Sequence, residues 1–524
     1  MYLTQPLRRM AQIGKNSLAS VDGNERRTWG EVNDRVARLA GGLKGLDVGV
    51  GDRVAILALN SARYMEALFA AAWMGAASVP LNTRWTVEEL VYGFNDSGPV
   101  AVFIDAAFLP KLPELRARYD GLKHVILMGP EEAHNDSGGL ISYEKLIAGS
   151  VPAIPDSLPA DTLAMICYTG GTTGLSKGVM LSHLAVWSSS VALSTDYRGL
   201  QGGDTIFLHA MPLFHIGGSG VMFATTIAGG SHIFLPGFDP KALLKTIEAE
   251  KVTHTQLVPT MVRMVLDQPD FGNFDLSSLR TLIYGAAPMS ATQIEETAAK
   301  LPHVGLQQGY GQTELAPYIS SLRPEHHIVE GEHSVRLRSA GIAGLCTEII
   351  IAGESGEELP RGEIGEVYVR GPHVMLGYWN KPEETRDALV DGWVHTGDAG
   401  YMDEDGFVFL VDRIKDMIVT GGENVYSTEV ENAIARHPAV STCVVIGIPH
   451  EKWGEAVHAI VMLRQGQQAT AEEITEFSRK YISGYKVPRS VEFRTDPLPV
   501  SGAGKILKRE LRKDYWQGRE SRIA

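Results

Sequence analysis

Short apolar runs alternate with helix-length segments through roughly the first 330 residues, and this alternation confines the chain to a small set of folds. Val54–Leu59, Ala77–Leu81, Val100–Asp105, His124–Met128 and Leu163–Tyr168 read as strands, and Ala62–Met74 has the length and composition of a helix. Ile206–Leu208, His232–Leu235, Thr255–Val258 and Thr281–Tyr284 repeat the strand signal, with helical patterns at Pro240–Glu250 and Ala291–Leu301. A helix between two strands carries the chain back to the end it left, so the strands run parallel and both faces of the sheet are covered. The strands are too many for one comfortable sheet, which predicts two α/β subdomains.

The texture changes after about Glu330. Gly, Glu and β-branched residues dominate as far as Asp412, which predicts a small antiparallel β unit over 330–412. From Arg413 onward, short strands (Val444–Ile448, His458–Leu463, Val491–Arg494) flank helical stretches at Thr428–Arg436 and Ala471–Tyr481. The expected fold is therefore α/β. A large N-terminal domain (1–412) holds two α/β subdomains and the β unit, and a smaller mobile α+β domain (413–524) follows. Thr205–Phe238 contains no Asp, Glu, Lys or Arg and is long enough to span a bilayer. It also contains Pro212, Pro236, two Gly-Gly pairs and three histidines, so the preferred reading is a buried strand, helix and strand, with no transmembrane segment.

Charge and cysteine content exclude several functions. Lys+Arg 48 against Asp+Glu 62 gives a net charge of -14, which argues against a nonspecific nucleic-acid binder. Cys167, Cys346 and Cys443 share no metal spacing and form no disulfide framework, which fits a reducing, cytoplasmic compartment. Arg8, Arg9 and Lys15 precede no apolar run, so no signal peptide is expected. Gly217-Gly-Ser-Gly220 approaches a serine-hydrolase elbow, but Val221 occupies the last glycine position. His326, His327 and His333 lack the i, i+4 spacing of helical metal ligands.

The strongest local signal is Tyr168-Thr-Gly-Gly-Thr-Thr-Gly-Leu-Ser-Lys-Gly178, which follows an apolar strand. Its glycines free the backbone to bend and expose N–H groups, and its Thr hydroxyls and Lys add donors, a combination suited to a polyphosphate. It is not a Walker A loop, because Ser176 precedes Lys177 and Gly178 follows it.

With that loop, six further motifs occur in order: Tyr284-Gly-Ala-Ala-Pro288, Gly309-Tyr-Gly-Gln-Thr-Glu314, Trp393-Val-His-Thr-Gly-Asp398, Asp412-Arg-Ile-Lys-Asp416, Gly421-Gly-Glu-Asn-Val-Tyr426 and Pro499-Val-Ser-Gly-Ala-Gly-Lys505. Over essentially its whole length the chain resembles the adenylate-forming enzymes: acyl-CoA synthetases, luciferase and amino-acid adenylation domains. The resemblance implies that a carboxylate attacks the α-phosphate of ATP, giving an acyl-adenylate and pyrophosphate. A thiol, usually coenzyme A, then takes the acyl group and releases AMP. Two anions meet in the first half, so the protein must neutralise charge and align atoms.

The resemblance also assigns roles. Thr169, Gly170, Gly171, Thr172, Thr173, Gly174 and Lys177 would hold the β- and γ-phosphates. Gly285, Ala286, Ala287 and Pro288 give a thin backbone wall, and Tyr310, between Gly309 and Gly311, a flat face for adenine. Gln312 belongs to the same ATP-binding stretch, and Thr313 would contact the α-phosphate. Glu314, with Thr169, would hold Mg²⁺ on ATP oxygens. Asp398 would accept both ribose hydroxyls, and Arg413 would help hold ribose or phosphate. Lys505 would reach between carboxylate and α-phosphate during adenylation. The C-terminal domain would then turn about Lys415 and present Gly421 and Gly422 to the pantetheine of CoA.

The acyl pocket would draw on His215, Gly217, Thr260, Tyr284, Ala316 and Pro317, with Gly218, Gly285 and Gly309 nearby. An amino-acid adenylation domain would carry Asp where His215 stands, which argues against an amino-acid substrate. The favoured substrate is a medium- to long-chain fatty acid. An aryl acid, transfer to a carrier protein, a luciferase-like oxygenation and a noncatalytic nucleotide- or acyl-binding homologue are the alternatives. A noncatalytic homologue would carry damage at Lys505, Glu314 or Asp398, and all three are intact. Any membrane contact would be peripheral, and a homodimer is left open.

Overall fold

The computed structural model describes residues 3–129, 139–155, 157–169, 176–197, 200, 203–501 and 506–516. Among these residues two large sheets form the body of the molecule. The first has nine strands in the order Ile342–Ala343, Tyr318–Leu322, Gly305–Gly311, Thr281–Gly285, His254–Leu257, Ile206–His209, Ser231–Phe234, Leu18–Asp22, Glu25–Thr28. Its interior pairings are parallel, and antiparallel strands close both edges. The second has eight, in the order Gly377–Tyr378, Lys177–Ser182, Leu163–Thr169, Ala77–Pro80, Arg53–Leu57, Ala101–Asp105, His124–Met128, Ile141–Ser142.

These strands are buried on both faces, which is why they read as continuous apolar runs. The helix Ala62–Trp73 is buried along nearly its whole surface. It shares one core with the helix Trp29–Gly45 and with Ala19 and Phe234 of the first sheet and Val54 and Ile56 of the second. A helix apolar all round can only lie between layers. Its one buried carboxylate, Glu66, accepts from Arg35 Nε at 2.8 Å and from the Tyr143 hydroxyl at 2.8 Å, so the charge is paired where it is dehydrated.

A five-stranded antiparallel sheet (Glu348–Ala352, Gly365–Arg370, Trp393–Met402, Leu389–Val390, Val408–Arg413) occupies the stretch expected to be β-rich. The remainder forms another five-stranded sheet, Glu423–Val425, Ile418–Thr420, Gly454–Leu463, Val440–His450 and Ser490–Phe493. Helices Ser427–Ile434 and Ala471–Ser478 pack on it around Ile418, Val430, Val445 and Ile474, a core of its own. Thr205–Phe238 is a strand, the helix Ile216–Ala228 and a strand, and no helix among the described residues is long and apolar enough to cross a membrane.

Candidate active site

The chemistry-bearing residues gather where strands of the two large sheets end. Leu163–Thr169 and Lys177–Ser182 form a hairpin that pairs Thr169 with Lys177. Gly170, Gly171, Thr172, Thr173 and Gly174 lie outside the described residues. Tyr378, arriving from far downstream, pairs with Val179 on this hairpin. Its ring lies 4.5 Å beneath the Lys177 ammonium, and its hydroxyl donates to Glu314 Oε1 at 2.8 Å. Glu314 follows the first-sheet strand Gly305–Gly311, and its carbonyl accepts from Met375 N at 2.9 Å. Residues 375–378 therefore strap the end of one sheet to the other. Sequence reasoning missed Tyr378, because a lone Tyr carries no motif.

The wall of the site is made of backbone. Gly285 and Gly309 are register partners on adjacent parallel strands, and a Cβ on Gly285 would stand 2.5 Å from the Gly309 carbonyl. A Cβ on Gly309 would overlap the Tyr197 hydroxyl, and one on Gly311 the Pro317 carbonyl. Ala286 takes a left-handed φ of 64°, a strained conformation for a residue with a Cβ, as it leads into Ala287 and Pro288. Thr313 is buried at the turn Thr313–Leu315, immediately before Glu314.

Asp398 is 5% exposed and already receives three donors. The Tyr310 hydroxyl and Gln312 Nε2 donate to Oδ2 at 2.6 and 2.9 Å, and Arg413 Nε reaches Oδ1 at 3.0 Å. A carboxylate offers about four lone-pair sites, so about one remains for a ribose hydroxyl in this arrangement. Burial and the neighbouring Asp398 raise the pKa of Tyr310, which keeps its phenol a donor. Gln312 thus positions Asp398.

His215 is the N-cap of the helix Ile216–Ala228, and its Nδ1 accepts from Gly217 N at 3.1 Å. Burial lowers its pKa to about 4, so the imidazole is neutral at pH 7 with its proton on Nε2. The loop that delivers it is held by Asn60, which follows the strand Arg53–Leu57 of the other sheet. Asn60 Nδ2 donates to the Met211 and His209 carbonyls at 2.9 and 3.4 Å, and its Oδ1 accepts from Leu213 N at 2.8 Å. Both of its donors and its oxygen are thus engaged in a buried setting. Asn60→Ala strands these groups and is expected to cost about 1–3 kcal/mol of stability. It should also raise KM for the acid more than KM for ATP, measured by pyrophosphate release. An equal rise in both would deny Asn60 a specific hold on the His215 loop.

Among the other residues expected at the acyl pocket, Pro317 packs against Gly220, where a Cβ would meet its Cδ at 2.8 Å. Ala316 and Tyr284 expose no surface, and the Tyr284 hydroxyl is engaged with His327 Nε2 at 2.9 Å. Thr260 is half-buried on the helix Pro259–Leu266. Lys415 lies in the turn Ile414–Asp416, and its side chain is outside the described residues, as is the whole of Lys505. Gly421 and Gly422 stand exposed at a turn with φ of 63° and 87°, Gly421 beside Trp453.

Residues 7–379 match the model of the AMP-binding enzyme family, and residues 429–505 match the AMP-binding enzyme C-terminal domain. The chain belongs to the AMP-binding enzyme family. It is an adenylate-forming enzyme of the acid–thiol ligase class. It is 40% identical over 523 residues to a feruloyl-CoA synthase of Amycolatopsis sp, covering 97% of this chain and 98% of that one. A fatty acid–acyl-carrier-protein ligase of Streptomyces coeruleorubidus is 37% identical, with 93% and 92% covered. The solved structure of ATP-bound MatB from Rhodopseudomonas palustris superposes with a TM-score of 0.86 at 32% identity, covering 98% of this chain and 99% of that one. The expected family, enzyme class and α/β architecture are borne out.

Proposed function

We propose that the enzyme adenylates an aromatic carboxylic acid with ATP and transfers the acyl group to coenzyme A. The observation that carries the reaction is the convergence of Lys177, Tyr378 and Glu314 beside the Asp398–Arg413 pair. It brings cations, hydrogen-bond donors and the Glu314 carboxylate together, as a polyphosphate with a metal ion would require. The aromatic acid is supported by the feruloyl-CoA synthase relative and by the crowding behind Gly309. Tyr197, Leu193 and Tyr318 pack together there in one buried cluster.

In this reading Thr169, Lys177 and the loop between them hold the β- and γ-phosphates, and Thr313 the α-phosphate. Asp398 takes a ribose hydroxyl on its remaining lone pair. The neutral His215 brings no second cation to the carboxylate and can donate from Nε2. The donors fit Mg²⁺. Glu314 offers a carboxylate with one oxygen bonded to Tyr378, and Thr169 stands across the hairpin from Lys177. No cluster of three His, Cys, Asp or Glu side chains occurs among the described residues, and Mg²⁺ typically relies on one or two carboxylates plus substrate phosphates. When bound, Mg²⁺ would supply charge neutralisation at the phosphates. Glu314→Gln keeps an acceptor for Tyr378 but loses the charge. It is expected to lower adenylation at least about 100-fold and to raise the Mg²⁺ needed for half-maximal pyrophosphate release. An unchanged Mg²⁺ dependence would remove Glu314 from the metal site.

Residues 413–524 act as the mobile domain, turning about Lys415. Asp412 accepts from Ser427 N and Oγ at 2.5 and 2.7 Å, while Arg512 pairs with Asp416 at 3.0 Å. Rotation at Lys415 must break the Asp412–Ser427 bonds and can leave Arg413–Asp398 and Arg512–Asp416 intact.

The test is pyrophosphate release with ATP and Mg²⁺ over aromatic and alkyl acids, each with and without CoA. CoA-dependent turnover of aromatic acids is the expected result. Adenylate that accumulates regardless of CoA would favour carrier-protein loading, the activity named for the Streptomyces coeruleorubidus relative.

A further inference from the structure

We propose that the Tyr197 hydroxyl reads a polar substituent, such as a phenolic hydroxyl, on the ring of the acid; this rests on the aromatic-acid reading above. Tyr197 ends the helix His183–Asp196 and is 2% exposed. Its ring meets Tyr318 edge-on at 5.8 Å, and its hydroxyl lies over Gly309, where a Cβ would overlap it. Gly309 in turn adjoins Gly285, the two backbone positions that wall the site.

The hydroxyl has no hydrogen-bond partner among the described residues. The neighbouring buried tyrosines are satisfied: Tyr318 donates to Asp196 Oδ2 at 3.0 Å, and Tyr284 is bonded to His327. Tyr64 also lacks a partner, but its oxygen is sealed from solvent, whereas that of Tyr197 is not among the sealed groups. A buried phenol without a partner beside the Gly309 wall calls for one, and a ligand group is the natural one. Leu193, Val221 and Ile283 lie in the same core, and the buried Asp196 carboxylate stands close enough to act on the phenol. Such a wall admits a neutral hydroxyl or ether oxygen that pairs with Tyr197 and rejects a bare carboxylate. Burial raises the Tyr197 pKa, so the phenol stays protonated and can both donate and accept.

The experiment compares kcat/KM for 4-hydroxycinnamic acid, cinnamic acid and octanoic acid in CoA-dependent pyrophosphate release, for the wild type and Tyr197→Phe. The wild type is expected to prefer the hydroxylated acid by about tenfold, the worth of one neutral hydrogen bond in a dry pocket. In Tyr197→Phe that ratio should fall to about one, through KM for the hydroxylated acid. A ratio unchanged by the substitution, or a wild type that takes both aromatic acids equally, overturns the role of Tyr197 alone. Turnover of octanoic acid without turnover of either aromatic acid overturns the aromatic reading and the Tyr197 role together. Absence of a wild-type preference overturns the role of Tyr197 even where the variant fails to fold.

Discussion

Lys505→Ala is expected to lower ATP–pyrophosphate exchange by about 100- to 1,000-fold while largely sparing thioester formation from supplied acyl-adenylate. The first half-reaction brings a carboxylate to a polyphosphate, and the cation that offsets their repulsion acts only there. The residue itself lies outside the described residues, but the base of its loop does not. Val500 and Ile506 pair across the loop, and Arg84 Nη1 donates to the Ser501 carbonyl at 3.0 Å. Arg84 follows the strand Ala77–Pro80, which is paired with the strand ending in Thr169. A second tie, Arg464 Nη2 to Glu296 at 3.2 Å, joins the same C-terminal portion to the body. The loop base thus stands beside the sheet end assigned to the phosphates. Normal exchange in Lys505→Ala would defeat the assignment, and equal loss in both half-reactions would mean that the substitution damages the fold instead.

Acid is expected to destabilise the enzyme steeply. His183, His209, His232 and His373 are all at most 3% exposed. Burial lowers the pKa of His183 and His373 to about 4 and of His232 to about 3. His209, which meets His232 at 2.9 Å, is held well below the usual value. In the unfolded chain each imidazole titrates near 6.5, so below that pH the unfolded state binds more protons and stability falls. The loss begins near pH 6.5 and runs to about pH 4, where the folded imidazoles charge. Four such groups give a slope of about 5 kcal/mol per pH unit, against a typical total of about 5–15 kcal/mol. The raised carboxyls of Asp22, Glu431 and Glu455 oppose this in part. The urea midpoint should drop sharply between pH 7.5 and 5.5. A flat midpoint would show that these imidazoles take up protons without unfolding.

Much of the architecture was legible before any coordinates. Continuous apolar runs located the strands within one or two residues, as in Val100–Asp105 against the observed Ala101–Asp105. The texture change at 330 marked the antiparallel sheet. Gly285 and Gly309 were named from motifs, and the structure gives their reason, since no Cβ fits between those strands and Tyr197. The pairing of Gly377–Tyr378 with Lys177–Ser182 was not legible, because two residues carry no period. Nor was the grip of Asn60 on a loop about 150 residues away, because an Asn before a Ser reads locally as a helix start.

The sequence by itself determined the class of chemistry and the positions of most of the buried parallel strands, because phosphate loops, glycine walls and buried strands are written in local residue types and spacing. Only the tertiary structure decided how much capacity Asp398 retains, which tyrosine steadies Glu314 and Lys177, and which phenol is left without a partner over Gly309. Those are properties of hydrogen bonds and dehydration shared between distant segments. A side chain's free lone pair or missing partner exists only once the surrounding groups have been brought together and the water removed.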